Sequence, residues 1–159
     1  MGDERFIEIA RPTGSDSIRD GRGVAVADLN GDGRQDLIVS NNNMKPTIYL
    51  NNLKHTGNWI ELKLVGTRSN RDAIGTRVRL EITGKTMTRV VEAGSGYASE
   101  SMFPVHFGLG QAASVQGIEI DWPSGLVQRF SRQQLEGRIN QQLIVQEGQE
   151  YLTVVTTRW

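Results

Sequence analysis

The chain has 159 residues, and its 18 basic side chains balance 18 acidic ones, so the formal net charge is zero. This length can bury one good core, and the charge balance argues against an electrostatic nucleic-acid binder, which carries a basic excess. The absence of cysteine excludes disulfides and thiolate metal sites, and no apolar run approaches the ~20 residues of a membrane span.

Short β-branched runs separated by turn residues dominate the first third of the chain. Residues 12–16 have the composition of a loop, and the asparagine-rich segment 41–43 indicates a turn. About four short strands are therefore predicted, and residues 1–53 are expected to form one small β unit. The predicted strands are residues 5–9, 24–27, 37–39 and 47–51.

The loop between the second and third of these strands carries the most informative pattern in the sequence. Oxygen-bearing side chains occupy its positions 1, 3, 5 and 9, and a glycine occupies position 6. Hard cations such as Ca²⁺ take six to eight oxygen ligands in a flexible shell. Three closely spaced carboxylates would repel one another without a cation. The predicted ligands are Asp28, Asn30, Asp32, the backbone carbonyl of Arg34, and Asp36.

The loop is not a complete EF-hand. Position 12, where an EF-hand has a bidentate glutamate, is Val39, and the flanking segments are strands rather than helices. Asn30-Gly31 and Asp32-Gly33 are also hairpin-turn dipeptides that need no metal. A plain turn therefore remains the alternative to a calcium site.

From Asn58 onward the strands become longer and alternate apolar with polar residues, which is typical of half-buried antiparallel strands. Residues 132–136 indicate a single helical turn. We expect an all-β antiparallel sandwich over residues 58–150, with 54–57 as the boundary before it and 151–159 as a last strand or tail. The predicted sandwich strands are residues 59–64, 76–82, 86–92, 105–107, 115–122, 126–130 and 142–146.

Two family resemblances follow from these motifs. Residues 23–39 resemble an FG-GAP/VCBS repeat, a calcium-loop repeat of β-propellers, and the resemblance assigns the same five ligands. The remainder resembles the ASPIC/UnbV domain of the cartilage acidic protein-like family. The motifs that carry this second resemblance are Asn58-Trp59, residues 69–71, residues 73–75, residues 94–97, residues 106–110 and residues 122–125.

The resemblance implies a propeller-blade-like unit followed by a β-sandwich, an extracellular or periplasmic setting, and no catalytic residue. A lone blade cannot bury both of its faces. We expect it to pack on the sandwich, with homodimerisation through exposed β edges as a second expectation. No signal peptide is visible at Met1, and no partner or ligand is identified beyond a protein or a glycan.

Other candidate sites are weaker. His106 lies between apolar neighbours and is expected to be a hydrogen-bonded structural histidine, while His55 lies in a loop without an evident partner. Trp59 and Trp122 could stack on sugars, so a carbohydrate-binding or adhesion module is the alternative function. A hydrolase would need convergent histidine and acidic side chains. The predicted function is a calcium-binding, non-enzymatic β module, with no catalytic or cofactor-binding residue assigned.

Overall fold

A computed structural model describes residues 7–54, 57–94, 96, 99–101 and 104–155. Its regular structure consists almost entirely of strands, as predicted. No helix in these described ranges is long and apolar enough to cross a membrane. The elements are α1 Ala10–Thr13, β1 Gly21–Ala27, β2 Asp36–Asn41, β3 Met44–Tyr49, β4 Asn58–Val65, β5 Arg77–Ile82, β6 Lys85–Val90, β7 Val105–Gly110, β8 Gly117–Asp121, β9 Val127–Ser131, β10 Gln141–Gln146 and β11 Thr153–Val154.

The first three strands form a small antiparallel sheet in the order β1-β2-β3. Val24 pairs with Val39, and Val39 pairs with Thr47, so the three strands are in direct register. Asn43 has a left-handed φ of 52°, which closes the tight turn between β2 and β3. The sheet remains open to solvent, because Val24 is 50% exposed and Ile48 is 58% exposed.

The remaining strands form two four-stranded sheets, β11-β10-β4-β7 and β6-β5-β8-β9. Alternate residues of each sheet enter one shared hydrophobic cluster, which makes the pair a sandwich. Each fully buried large apolar side chain in such a core contributes about 1.5–3 kcal/mol. The least exposed large side chains of the cluster are Ile60, Leu62, Phe107, Leu143 and Val145 from the first sheet and Val78, Leu80, Ile120 and Phe130 from the second.

One strand pair is parallel. β10 runs parallel to β4, with Leu143 opposite Leu62, whereas the other strand pairs in the described ranges are antiparallel. The side chains on the inner face of β4 and β10 form part of the core, and those on the outer face contact the loop of the small sheet. The parallel pairing thereby places the start of β10 beside that loop.

Local predictions fail at two places. Residues 7–9 are not in a strand, and residues 5 and 6 lie outside the described ranges. Part of the loop predicted at 12–16 is instead the helical turn α1, closed by Gly14 at φ 71°. The helical turn predicted at 132–136 agrees with the turn at residues 132–137, where the N–H of Leu135 donates to the carbonyl of Ser131 at 3.2 Å.

Candidate metal centre

The loop between β1 and β2 is closed by its own acidic side chains. The N–H groups of Asp32 and Gly33 donate to Oδ1 and Oδ2 of Asp28, at 3.1 and 2.7 Å. Oδ1 of Asn30 also accepts from the N–H of Asp32, at 3.2 Å. Gly31 and Gly33 have φ values of 70° and 84°, which glycine adopts without a Cβ penalty. The side chains of Asp28 and Asn30 therefore stabilise the bend of the loop through these hydrogen bonds.

Asp32 and Arg34 form a pair within the loop. The N–H of Arg34 donates to Oδ1 of Asp32 at 2.9 Å, and its guanidinium forms a short ion pair with Oδ2. The same guanidinium reaches the carbonyl of Asn51, just beyond β3. The side chain of Arg34 thus ties the loop to the end of the small sheet, a contact that the sequence pattern did not predict.

Asp36 is the deeply buried member of the predicted ligand set. It is 1% exposed, and its two oxygens accept from the N–H groups of Leu29 and Asn51, at 3.0 and 2.7 Å. Within the described ranges it has no ion-pair partner. A buried carboxylate held only by neutral donors is costly, and a nearby cation would offset that cost.

The loop packs against the outer face of the sandwich. A Cβ built on Gly33 would lie 2.0 Å from Nε1 of Trp59, so the indole lies directly against the loop backbone. The Trp59 ring stacks on His106 at 5.9 Å between ring centres, and Nε2 of His106 lies 3.1 Å from the carbonyl oxygen of Gly33. Glycine at this position therefore allows the two units to touch.

His106 is hydrogen-bonded and lies in β7, as expected for a structural histidine. Burial lowers its pKa, and this effect outweighs the opposing ones of the Gly33 carbonyl and the Asp28 charge. The folded state therefore favours the neutral ring. The resulting contribution to stability is present above the unfolded pKa of ~6.5 and decreases as the pH falls below it. His55 lies outside the described residues.

Glu61 faces the loop from β4. It is 4% exposed, and Nε2 of Gln142 donates to its Oε2 at 2.9 Å. Burial and the negative charge of Asp28 raise the pKa of Glu61. Glu61, Asp28 and Asn30 line one cleft of about 350 Å³ between the loop, β4 and the start of β10. The burial of Glu61 was not predicted, because a polar residue that alternates with apolar ones in a strand is expected to face solvent.

The structure places the five predicted ligands in one loop without gathering their oxygens around a point. Within the described residues, no group of three or more histidine or acidic side chains is arranged to hold a metal ion. Each oxygen of Asp28, Asp32 and Asp36 accepts one hydrogen bond from a loop N–H group, the guanidinium or Asn51. Carboxylates have about four acceptor positions, so each retains capacity for a further partner. By donor chemistry, the set suits a hard cation.

The two tryptophans considered for sugar stacking are both engaged in packing. Trp122 is 3% exposed, and its indole N–H donates to Gln128 at 3.0 Å. Trp59 packs against the loop and His106 but is only partly buried, and it lines the cleft beside the loop. Of the two rings, only that of Trp122 is excluded as an aromatic platform by its burial. Tyr97, in the glycine-rich loop, lies outside the described residues.

A second buried carboxylate was also missed by sequence reasoning. Glu147, just after β10, is 3% exposed. Its Oε2 accepts from three successive N–H groups, those of Thr67, Arg68 and Ser69, at 2.8, 2.7 and 2.8 Å. Its Oε1 accepts from the hydroxyls of Ser69, at 2.9 Å, and Ser124. Burial raises the pKa of Glu147, but the hydrogen bonds from the Ser124 hydroxyl and from the three N–H groups outweigh it and lower the pKa to about 2.

The contacts of Glu147 join two segments that carry the family resemblance. The loop at 67–69 follows β4, and Ser124 lies in the turn between β8 and β9, in the other sheet. The N–H of Ser124 also donates to the Ser69 hydroxyl at 3.1 Å. Glu147 is therefore a structural link across one end of the sandwich.

Comparison with known families agrees with this architecture. The model of the ASPIC and UnbV family matches residues 66–151, more than half of the chain, and the chain therefore belongs to that family. The FG-GAP repeat model matches residues 21–45, which include β1, the loop and β2. Both resemblances found in the sequence are thereby confirmed.

The individual relatives are much longer proteins. Cartilage acidic protein 1 of Xenopus tropicalis is 34% identical over 156 residues, covering 94% of this chain and 23% of that protein. The Homo sapiens protein of the same name is 33% identical over 125 residues, covering 76% of this chain and 18% of that protein. The chain thus spans about a fifth of the length of the curated relatives that it matches.

Proposed function

We propose that the chain is a calcium-stabilised, non-enzymatic module that acts outside the cytoplasm. The observation that carries this proposal is the nine-residue loop whose three aspartates and one asparagine close on their own backbone and pack on the sandwich. The FG-GAP match over the same residues supports it. The family resemblance supports an extracellular or periplasmic setting.

Asp28, Asn30, Asp32, Asp36 and the Arg34 carbonyl would hold the ion after modest side-chain rotation. The ion would supply positive charge to three carboxylates, one of them fully buried. Since the loop carries Gly33 against Trp59, ordering the loop would also order the contact between the small sheet and the sandwich. An ion that binds only the folded chain stabilises it by mass action.

The first prediction concerns calcium binding itself. Isothermal titration calorimetry of the chelator-treated chain should show one Ca²⁺ site, with a dissociation constant between ~10⁻⁷ and ~10⁻³ M. Asp32→Ala should abolish the signal, because it removes a carboxylate at the centre of the loop. Asp16→Ala removes an exposed charge outside the loop and should leave the titration unchanged. A flat titration of the unmodified chain would refute the site.

Rigidity of this kind suits a module that presents a surface to a protein or glycan partner, as in adhesion. The small sheet is the part of the described structure most open to contact. Its outer strands β1 and β3 carry Val24 and Ile48, each at least half exposed. Free edges and exposed apolar side chains promote association of strands.

The second prediction is therefore self-association through these edges. Sedimentation velocity at increasing protein concentration should show a dimer for the unmodified chain. Ile48→Lys should shift the chain to monomer, because a charged edge residue opposes strand pairing. Lys63→Glu, an exposed change on β4, is the control. A monomer at all concentrations would remove homodimerisation from the proposal.

A further inference from the structure

The cleft beside the loop contains a carboxylate that the loop itself does not supply. Glu61 is 4% exposed, and within the described residues its carboxylate receives one hydrogen bond, from Gln142, and no ion pair. Glu61 lies two residues after Trp59 in β4, so both side chains are on the outer face of the strand, where Gly33 packs. It also lines the same cleft as Asp28 and Asn30.

The loop is short of donors for Ca²⁺. Four side chains and one carbonyl make five donor groups, whereas Ca²⁺ takes about six to eight oxygens. A bidentate carboxylate, water or a further side chain must complete the shell. An EF-hand fills the gap with a bidentate glutamate at position 12. Here position 12 is Val39, which is paired on both sides, with β1 and with β3. Position 12 of this loop therefore supplies no carboxylate.

We propose that Glu61 of the sandwich supplies a further carboxylate to the calcium site, so that the ion is held by both units. This inference rests on the proposed function. A site that includes Glu61 differs from a loop-only site in one way. The ion would connect the small sheet to β4 directly, in addition to the packing of Gly33 on Trp59. Two carboxylates that face one cleft repel each other, and a shared cation turns that repulsion into attraction.

Calorimetry on single variants tests the assignment. Glu61→Gln keeps the shape and the hydrogen-bonding capacity toward Gln142 but removes the charge, and it should weaken Ca²⁺ binding by about tenfold or more, since charge count sets affinity in such sites. Glu136→Gln removes an exposed carboxylate from a turn that does not line the cleft, and it should bind within about twofold of the unmodified chain. Thermal unfolding in chelator establishes that Glu61→Gln remains folded.

The outcomes separate the two proposals. If the unmodified chain binds Ca²⁺ and Glu61→Gln binds equally well, the assignment of Glu61 is overturned while the loop site stands. If the unmodified chain does not bind, both fall. A second readout needs no variant: the side-chain carboxyl ¹³C resonance of Glu61 should shift on Ca²⁺ addition along the same titration curve as that of Asp36. An unmoved Glu61 resonance would also overturn the assignment.

Discussion

Replacing Glu147 by glutamine should lower the free energy of unfolding by about 3 kcal/mol at pH 7, which is the linkage value of a carboxyl pKa held near 2 instead of 4.5. The physical reason is the set of five donors around this carboxylate, three of them successive N–H groups on one oxygen. A glutamine amide is uncharged, so it accepts more weakly from the three N–H groups, and its NH₂ group would replace the oxygen that accepts from the two serine hydroxyls. Urea denaturation at pH 7 measures the loss.

The pH dependence gives this prediction a specific signature. Because the folded pKa lies below the unfolded one, the contribution of Glu147 is complete above about pH 4.5 and is lost as the pH falls toward about 2. The difference between the unmodified chain and Glu147→Gln should therefore narrow over this range. Glu150→Gln changes an exposed carboxylate three residues away and is the matched control. A deficit as large at pH 2 as at pH 7, or one indistinguishable from the control, would contradict the role assigned to Glu147.

Replacing Gly33 by alanine should separate the small sheet from the sandwich and lower the free energy of unfolding by about 2–4 kcal/mol, combining steric overlap with an unfavourable backbone conformation. The new Cβ would lie 2.0 Å from Nε1 and 2.1 Å from Cε2 of Trp59, and φ at this residue is 84°. The indole cannot retreat freely, because it is stacked on His106. Urea denaturation measures the loss, and the near-ultraviolet circular dichroism of the tryptophans reports the separation.

Gly84→Ala separates the effect of steric overlap from that of the unfavourable backbone conformation. Gly84 has a φ of 76° in the β5–β6 turn, and an added Cβ meets nothing within 4 Å. It should therefore lose only the backbone component, of about 1 kcal/mol. Equal losses in the two variants would show that the contact between Gly33 and Trp59 contributes little to stability.

Much of the fold was predictable because its signals are local. The alternation of Val78 and Leu80 with polar residues required a half-buried strand, and both are fully buried in β5. Likewise, the glycines of the acidic loop indicated a turn with left-handed backbone, and Gly31 and Gly33 adopt that conformation. Hydrophobic periodicity and turn-forming residues can be recognised in a single sequence, because each depends on residues only a few positions apart.

The rest depends on which distant segments meet, and no local pattern encodes that. The parallel pairing of β4 with β10 joins Leu62 to Leu143, 81 positions along the chain. That pairing, together with the packing of the loop, buries Glu61. Glu147 reads as an ordinary polar residue after a strand until residues 67–69 and Ser124 are placed around it. The turn chemistry of the acidic loop was predictable from its own residues, whereas the contacts of the loop with Trp59 and His106 were not.

The central claim is that the acidic loop holds a calcium ion. The direct measurement is anomalous diffraction from crystals grown with Ca²⁺ in excess. We expect a single strong peak coordinated by side-chain oxygens of Asp28, Asn30, Asp32 and Asp36 and by the carbonyl of Arg34. A loop with no peak and with its carboxylates still bonded to backbone N–H groups would contradict the claim, even if the sandwich were found as described.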